Sequence, residues 1–134
     1  MLKTKNAIVW VIKIDKEIIG TTRLANIDHT TKIAQLGWTW INPKYHGTKS
    51  NKISKYLILK FAFEELDLKY ITLKTDKLNM VSNKAILSIG AKFEETIENH
   101  LKTWKGIYRD TNVYIIFNKD WKTIKKVLLT KINQ

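Results

Sequence analysis

The spacing of apolar residues in this 134-residue chain changes near residue 42, and that change constrains the fold more than any other feature. Before it, segments 7–14, 18–27 and 32–41 are rich in β-branched and aromatic residues and predict three strands. The first two are joined by a short turn, and a polar loop leads to the third, so we expect an antiparallel meander. After it, residues 52–67 carry apolar side chains at helical spacing and predict a helix.

Local patterns refine this part of the prediction. Simple alternation assigns the third strand two faces, one with Ala34, Leu36, Trp38 and Trp40, the other with Ile33, Gln35, Gly37, Thr39 and Ile41. Ser50 or Asn51 is the expected N-cap of the helix. Because apolar residues run most of the way round this helix, we expect it to be central and covered on most sides.

The remaining sequence predicts a further strand–helix unit, two strands and a closing helix. The expected elements are a strand at 69–75, a helix at 79–89, strands at 91–103 and 111–118, and a helix at 119–132. Asn79 is the expected N-cap of the second helix, and Gly90 follows its C-terminus. The expected buried residues are Val81, Ala85, Ile86 and Ile89 in the second helix and Trp121, Ile124, Leu128 and Ile132 in the last. The predicted order is β-β-β-α-β-α-β-β-α, a mixed α/β sheet in one domain over residues 1–134.

The chain is strongly basic, with 24 Lys and Arg residues against 12 Asp and Glu and a formal net charge of +12. Such a balance is typical of proteins that bind polyanions, including nucleic acids. Arginine reads bases and holds phosphates with two hydrogen bonds, but the sequence has only two arginines, Arg23 and Arg109. The lysines never form a block of five, which indicates a solvated surface rather than a dedicated nucleic-acid interface. A phosphorylated small molecule suits this charge equally well.

Several functional classes are disfavoured by what the sequence lacks. No apolar run approaches the roughly 18 residues of a membrane span, and we expect no leader segment before the first strand. The chain has no cysteine, so it has no disulfide, thiolate catalyst or cysteine-ligated zinc, which is consistent with a cytoplasmic protein. His29, His46 and His100 are scattered without metal-ligand spacing, so we expect no metal site.

The loop at 42–51 is the first candidate binding site. A loop that opens onto a helix N-terminus presents free N–H groups and the positive end of the helix dipole, which together bind anions. Gly47 would allow a phosphate close to the backbone, and Lys44, Lys49 and Lys52 add positive charge. The alternative is an ordinary strand–helix loop with a glycine and a cap.

Two later segments also carry polar residues that could belong to a functional site. Each of these residues can equally be explained by a structural role. Asn79 and Ser82 are three residues apart and would face one spot on a helix, either as part of a site or as a capping pair. Lys84 is either a ligand-binding residue or a solvated cation. Arg109 and Asp110 are explained by structural ion pairing as well as by catalysis.

Taken in order, these segments resemble the Gcn5-related N-acetyltransferases (GNAT), specifically the RimJ/RimL type. The resemblance extends over about residues 8–121 and includes the single residues Asn79, Ser82 and Trp121. Its main stretches are GTTRL at 20–24, LGWTWINPKYHGT at 36–48, KYLILKFAFE at 55–64, LKTD at 73–76, GAKFE at 90–94 and YRDT at 108–111.

The resemblance implies a binding site for acetyl-CoA. In that family the molecule lies in a V between two splayed parallel strands, which here would be the third and the fourth. Backbone groups of Trp40 and Ile41 would bind the pantetheine arm together with Asn79, and Lys84 would lie near the phosphates. The diphosphate would be bound by the amides of His46, Gly47, Thr48, Lys49, Ser50 and Asn51.

The implied activity is transfer of an acetyl group from acetyl-CoA to a primary amine, either a peptide N-terminus or a small molecule, by direct attack. A backbone N–H at about Trp40 or Ile41 would polarise the carbonyl. Ser82 would protonate the departing thiolate. Glu98 or His100 would deprotonate the amine through water, although each is equally well explained as a surface residue.

Two features depart from the family pattern. Lys49 stands where the family carries glycine or another small residue, so its side chain either aids phosphate binding or obstructs it. Family members also begin with a strand and two helices that wall the acceptor site, whereas six residues precede the first predicted strand here. A non-catalytic module that binds CoA or a protein is therefore the alternative function, and an uncovered sheet edge or face would favour a homodimer.

Overall fold

The computed structural model describes residues 6–134 and confirms the predicted order of elements. The strands are β1 (Ile8–Ile14), β2 (Glu17–Asp28), β3 (Ile33–Ile41), β4 (Tyr70–Asp76), β5 (Lys92–Lys102) and β6 (Tyr108–Phe117). The helices are α1 (Ser50–Lys60), α2 (Met80–Ser88) and α3 (Trp121–Ile132). A π-helical turn, Phe61–Glu65, extends α1, and short 3₁₀ turns lie at Pro43–Tyr45 and Asn118–Asp120.

All six strands form one sheet in the order β1-β2-β3-β4-β6-β5. β3 and β4 are parallel, as the connection through α1 requires, and the other neighbouring pairs are antiparallel. The core lies between the sheet and helices α1 and α3, and includes Leu24, Leu36, Ile71 and Ile116 with Leu59 and Leu128. The structure is therefore the mixed α/β fold predicted from the sequence.

Two expectations about helix burial are wrong. Ile53 and Leu57 of α1 are 40% and 57% exposed, because within residues 6–134 the sheet and α3 cover one side of this helix and leave another open. In α2, Ile89 is buried at its end but Val81 is 81% exposed. Trp121 and Leu128 of α3 are buried as predicted. Across residues 6–134, none of the helices has the length and apolar character needed to cross a bilayer.

The helix caps are predicted correctly at α2 and incorrectly at α1. Asn79 is the N-cap of α2, with its side chain accepting a hydrogen bond from the Ser82 amide over 3.0 Å. Gly90 follows the end of α2 with a φ of 97°. At α1 the N-cap is Lys49 rather than Ser50 or Asn51, because the helix already includes both of those residues.

The alternation predicted for β3 is interrupted by a β-bulge. The pairing of β2 with β3 passes from Thr21–Trp40 to Arg23–Gly37, so three steps of β3 span two steps of β2. Trp38 has a positive φ of 50° within this bulge. Trp38 and Trp40 are consequently 49% and 55% exposed, rather than sharing the buried face of Leu36. The predicted faces are wrong beyond Gly37 because alternation takes no account of an extra residue.

Candidate functional site

Strands β3 and β4 separate partway along their length. They pair from Ile33–Tyr70 to Leu36–Leu73, after which β3 continues alongside β2, and β4 alongside β6. Backbone groups facing the gap therefore have no partner in the opposite strand. The gap opens into a cleft of about 840 Å³, bounded by β3, β4, α1 and α2. The structure thus contains a slot between the two parallel strands.

The loop before α1 forms one end of this cleft. Gly47 has a φ of 78°, a conformation that glycine adopts without strain, and the space above its Cα is open. His46 Nε2 donates to the Ile41 carbonyl oxygen over 2.8 Å, and Thr48 Oγ1 donates to the Tyr45 carbonyl oxygen over 2.6 Å. These bonds fix the loop where the first N–H groups of α1, which have no helical acceptors, meet the cleft.

The cleft is electrostatically positive. Its charged lining residues are Lys52, Lys55, Lys74 and Lys84, and the lining includes no Asp or Glu among the described residues. The N-terminus of α1 adds the positive end of its dipole. In the same wall, the Oδ1 atom of Asn51 is buried without a hydrogen-bond partner in the part of the chain that the structure describes. The charge of the lining therefore suits an elongated anion.

Lys55 is the most unusual residue of the cleft, because it is 6% exposed and its partners are neutral. Its Nζ donates to Thr39 Oγ1 over 2.6 Å and to Thr22 Oγ1 over 3.2 Å. Burial lowers the pKa of Lys55 to about 8, since the ammonium is poorly solvated there. The sequence prediction missed this residue, although a lysine in the apolar stripe of α1 with Ile58 and Leu59 was a usable signal.

The predicted cofactor-binding residues fall into two groups. Those that line the cleft are Ile41, His46, Gly47, Thr48, Asn51, Asn79 and Lys84. Trp40, Lys49 and Ser50 are not among the lining residues. The Nζ of Lys49 turns away and donates to the carbonyl oxygens of Ile132, over 2.9 Å, and Gln134. In this arrangement the Lys49 side chain does not obstruct the cleft.

The predicted catalytic residues are not all brought together. Ser82 lines the cleft from the first turn of α2. Glu98 and His100 lie on β5, which is separated from β4 by β6, and neither lines the cleft. The His100 Nδ1 and Thr111 Oγ1 atoms are hydrogen-bonded at 2.9 Å.

The motif around Arg109 takes part in structural pairing. Arg109 lies 3.7 Å from a carboxylate oxygen of Asp76, and Asp110 accepts a hydrogen bond from the Asn99 amide over 2.9 Å. These contacts join β6 to the end of β4 and to β5. Of the two roles that the sequence allowed for Arg109 and Asp110, structural pairing and catalysis, these contacts correspond to structural pairing.

Family comparison agrees with this geometry. The sequence model of the acetyltransferase (GNAT) domain matches residues 1–92, which is more than half of the chain. The chain belongs to the GNAT acetyltransferase family. The matched region extends through α2 and so includes all four elements around the cleft. A comparison with curated proteins gives no match.

Solved structures of GNAT proteins share the fold. An inferred acetyltransferase from T. thermophilus superposes with a TM-score of 0.86 and 28% identity, covering 93% of this chain and 66% of that one. A second inferred acetyltransferase superposes with a TM-score of 0.90 and 28% identity, covering 94% of this chain and 64% of that one. Mycobacterium smegmatis RimJ, solved in complex with CoA-disulfide, superposes with a TM-score of 0.85 and 20% identity, covering 94% of this chain and 60% of that one. The chain therefore spans somewhat less than two thirds of the length of these GNAT structures.

Proposed function

We propose that this protein is an N-acetyltransferase that transfers an acetyl group from acetyl-CoA to a primary amine, either a peptide N-terminus or a small molecule. The observation that carries the proposal is the separation of β3 from β4 beyond the Leu36–Leu73 pair. An extended, amide-bearing arm fits such a slot as an added strand, and a diphosphate fits the helix N-terminus beside it. CoA carries both groups, and membership of the GNAT family makes its acetyl thioester the natural donor.

The donor-binding roles follow the order of residues along the cleft. Backbone groups of β3 at Trp40 and Ile41 would pair with the pantetheine arm. The amides of residues 46–51 would bind the diphosphate, with Lys84 near the phosphates. The Oδ1 atom of Asn79 caps α2, so its Nδ2 would be the group that donates to pantetheine.

The chemistry is direct acyl transfer. The neutral amine nitrogen attacks the thioester carbon, a C–N bond forms, the C–S bond breaks, and sulfur leaves as a thiolate. We assign protonation of that thiolate to Ser82, which lies in the cleft wall. Glu98 or His100, which lie on β5 outside the cleft lining, would accept the amine proton through water.

A second candidate function is a non-catalytic CoA-binding module. It is favoured by the absence of any carboxylate from the cleft lining within residues 6–134, and by the engagement of His46 Nε2 with a backbone carbonyl. Neither observation weakens CoA binding. Both leave the general base outside the cleft, so turnover is the property that separates the two candidates.

We further propose that residues 1–134 form one acetyltransferase domain of the RimJ/RimL type, that it acts in the cytoplasm, and that it forms a homodimer. The dimer is supported by β1, an edge strand of the sheet, whose Val9 and Val11 are 60% and 51% exposed. Exposed edge strands with apolar faces favour self-association. Light scattering at several protein concentrations would test this assembly.

Calorimetry with acetyl-CoA and a thiol-release assay over a panel of peptides and small amines test the proposed function. We expect binding, and turnover with at least one amine class. Ser82→Ala should lower kcat while leaving KM for acetyl-CoA nearly unchanged, because the hydroxyl is needed only after binding. No binding heat up to about millimolar ligand would defeat the proposal. Binding without turnover on any amine would support the non-catalytic module.

A further inference from the structure

Lys55 is a buried cation that no anion compensates within the described chain. Its neighbours at hydrogen-bond distance are the hydroxyls of Thr22 and Thr39, and no carboxylate is among its partners in residues 6–134. Removing an ammonium from water without pairing it is costly, so such groups are retained where something other than stability favours them. The lowered pKa of Lys55 reflects this cost.

The fold does not require the ammonium to satisfy its neighbours. The hydroxyls of Thr22 and Thr39 lie 2.9 Å apart and hydrogen-bond each other directly. The Thr22 hydroxyl also reaches the Gly37 carbonyl oxygen at 3.4 Å. If Lys55 were replaced by an apolar side chain, neither hydroxyl would be left buried without a partner.

The position of Lys55 suggests what its charge is for. Thr39 lies three residues beyond Leu36, the last residue of β3 that pairs with β4, and immediately after the bulge at Trp38. Beyond this point β3 is held by β2, by the contact of His46 Nε2 with the Ile41 carbonyl oxygen, and by the tether that Lys55 provides from α1. Lys55 therefore fixes the free edge of β3 at the start of the slot.

We propose that Lys55 is a positioning residue for the acyl donor, whose ammonium holds Thr39 and thereby keeps the unpaired backbone of β3 in the arrangement that receives the thioester. This role rests on the proposed function, because it assumes that the thioester lies against β3. Backbone donors polarise a carbonyl effectively only when they are fixed before the reaction. Loss of the tether should therefore lower kcat more than it weakens binding of the distant diphosphate.

The charge of Lys55 gives this role a pH dependence. Charge-assisted hydrogen bonds are stronger than neutral ones, so the tether weakens as Lys55 loses its proton near pH 8. The hydroxyls that contact it from β2 and β3 do not titrate in this range. The titratable residues that share the cleft lining, from the loop, α1, β4 and α2, are Tyr45, His46, Lys52, Lys74 and Lys84.

Kinetics of Lys55→Met, Thr39→Val and their double variant test the proposal, with Lys60→Met as the control, since Lys60 is an exposed lysine of α1 outside the cleft lining. We expect Lys55→Met to lower kcat about tenfold or more, with KM for acetyl-CoA changed less than about threefold. Thr39→Val should reproduce the loss, and the double variant should be no worse than either single variant. The ratio of wild-type to Lys55→Met kcat should fall as pH rises through about 8.

Hydrogen exchange on the ligand-free proteins separates this inference from the proposed function. Amides of residues 38–41 should exchange several-fold faster in Lys55→Met than in wild type, while Lys60→Met matches wild type. Equal exchange in Lys55→Met and wild type would overturn the role of Lys55 whatever the activity. So would a wild-type kcat in Lys55→Met, or a loss of kcat that is independent of pH. A wild-type protein that neither binds nor turns over acetyl-CoA would instead defeat the proposed function.

Discussion

The Oδ1 atom of Asn83 accepts a hydrogen bond from the Tyr114 hydroxyl over 2.6 Å, joining α2 to β6 beneath the cleft. The Nδ2 atom of Asn83 donates to the carbonyl oxygens of Asn79, over 2.7 Å, and Asp76, over 3.0 Å. One buried amide thus connects the end of β4, the first turn of α2 and the neighbouring strand. Asn79 and Ser82, both on the cleft wall, depend on this connection for their position.

Asn83→Ala should destabilise the protein by about 2 to 3 kcal/mol, because it leaves the Tyr114 hydroxyl and the Asn112 side-chain amide without their shared acceptor. Urea unfolding would measure the change. Tyr114→Phe is the matched variant, since it removes the hydroxyl while Asn83 Oδ1 keeps its hydrogen bond from Asn112 Nδ2, and it should cost about 1 kcal/mol. A double variant whose loss equals the sum of the two single losses would contradict a direct contact.

Lys55→Met should raise the free energy of unfolding at neutral pH. The pKa of Lys55 falls from 10.5 to about 8 in the folded protein, a difference worth about 3 kcal/mol. The unfolded chain holds this proton between pH 8 and 10.5 and the folded chain does not, so this residue's contribution to stability increases with pH across that window.

Thermal or urea unfolding of wild type and Lys55→Met at several pH values would test that prediction. The advantage of the variant should be greatest below pH 8 and shrink as pH approaches 10.5. A variant less stable than wild type at about pH 7 would show that the ammonium is structurally required.

Gly20→Ala should impair both stability and CoA binding. A Cβ on Gly20 would lie against the Trp40 carbonyl oxygen, far inside van der Waals contact, so the β3 backbone would have to move at the segment that borders the slot. We expect a loss of at least about 2 kcal/mol in urea unfolding. Gly37→Ala is the stability control, because its Cβ would meet nothing within 4 Å. Equal stabilities for the two variants would contradict the close approach of β2 and β3.

Lys84→Met should weaken CoA binding about three- to tenfold, as expected for the loss of one phosphate contact. It should also reduce the dependence of the affinity on salt, because the lost contribution is electrostatic. Calorimetry at two salt concentrations would measure both effects. Lys122→Met, which removes an exposed lysine of α3, should match wild type. Equal effects of the two variants would mean that the net charge of +12, rather than the cleft, attracts CoA.

Periodicity and turn chemistry were sufficient to predict the order of elements. The change from strand spacing to helical spacing at 42–51 located the loop of the cleft, and Asn79 and Gly90 marked the ends of α2. These signals are local, since they depend on residues close together in the chain. The roles of individual cleft residues were instead implied by the resemblance to the GNAT family, and most of those residues line the cleft.

The features missed by the sequence prediction depend on contacts between distant segments. The bulge at Trp38 is defined by the register of β3 against β2. That register cannot be deduced from the alternation of residues within β3. Lys55 and Asn83 are polar residues in helices whose burial follows from packing against the sheet. Glu98 and His100 were suggested as bases from their strand alone, and the strand order β4-β6-β5 places that strand away from the cleft.

A crystal structure of the protein with acetyl-CoA would test the central claim most directly. The account predicts the diphosphate at the amides around Gly47, the pantetheine arm between β3 and β4 beyond the Leu36–Leu73 pair, and the thioester beside the Thr39 segment. Acetyl-CoA bound elsewhere on the basic surface, with the slot between the strands empty, would contradict it.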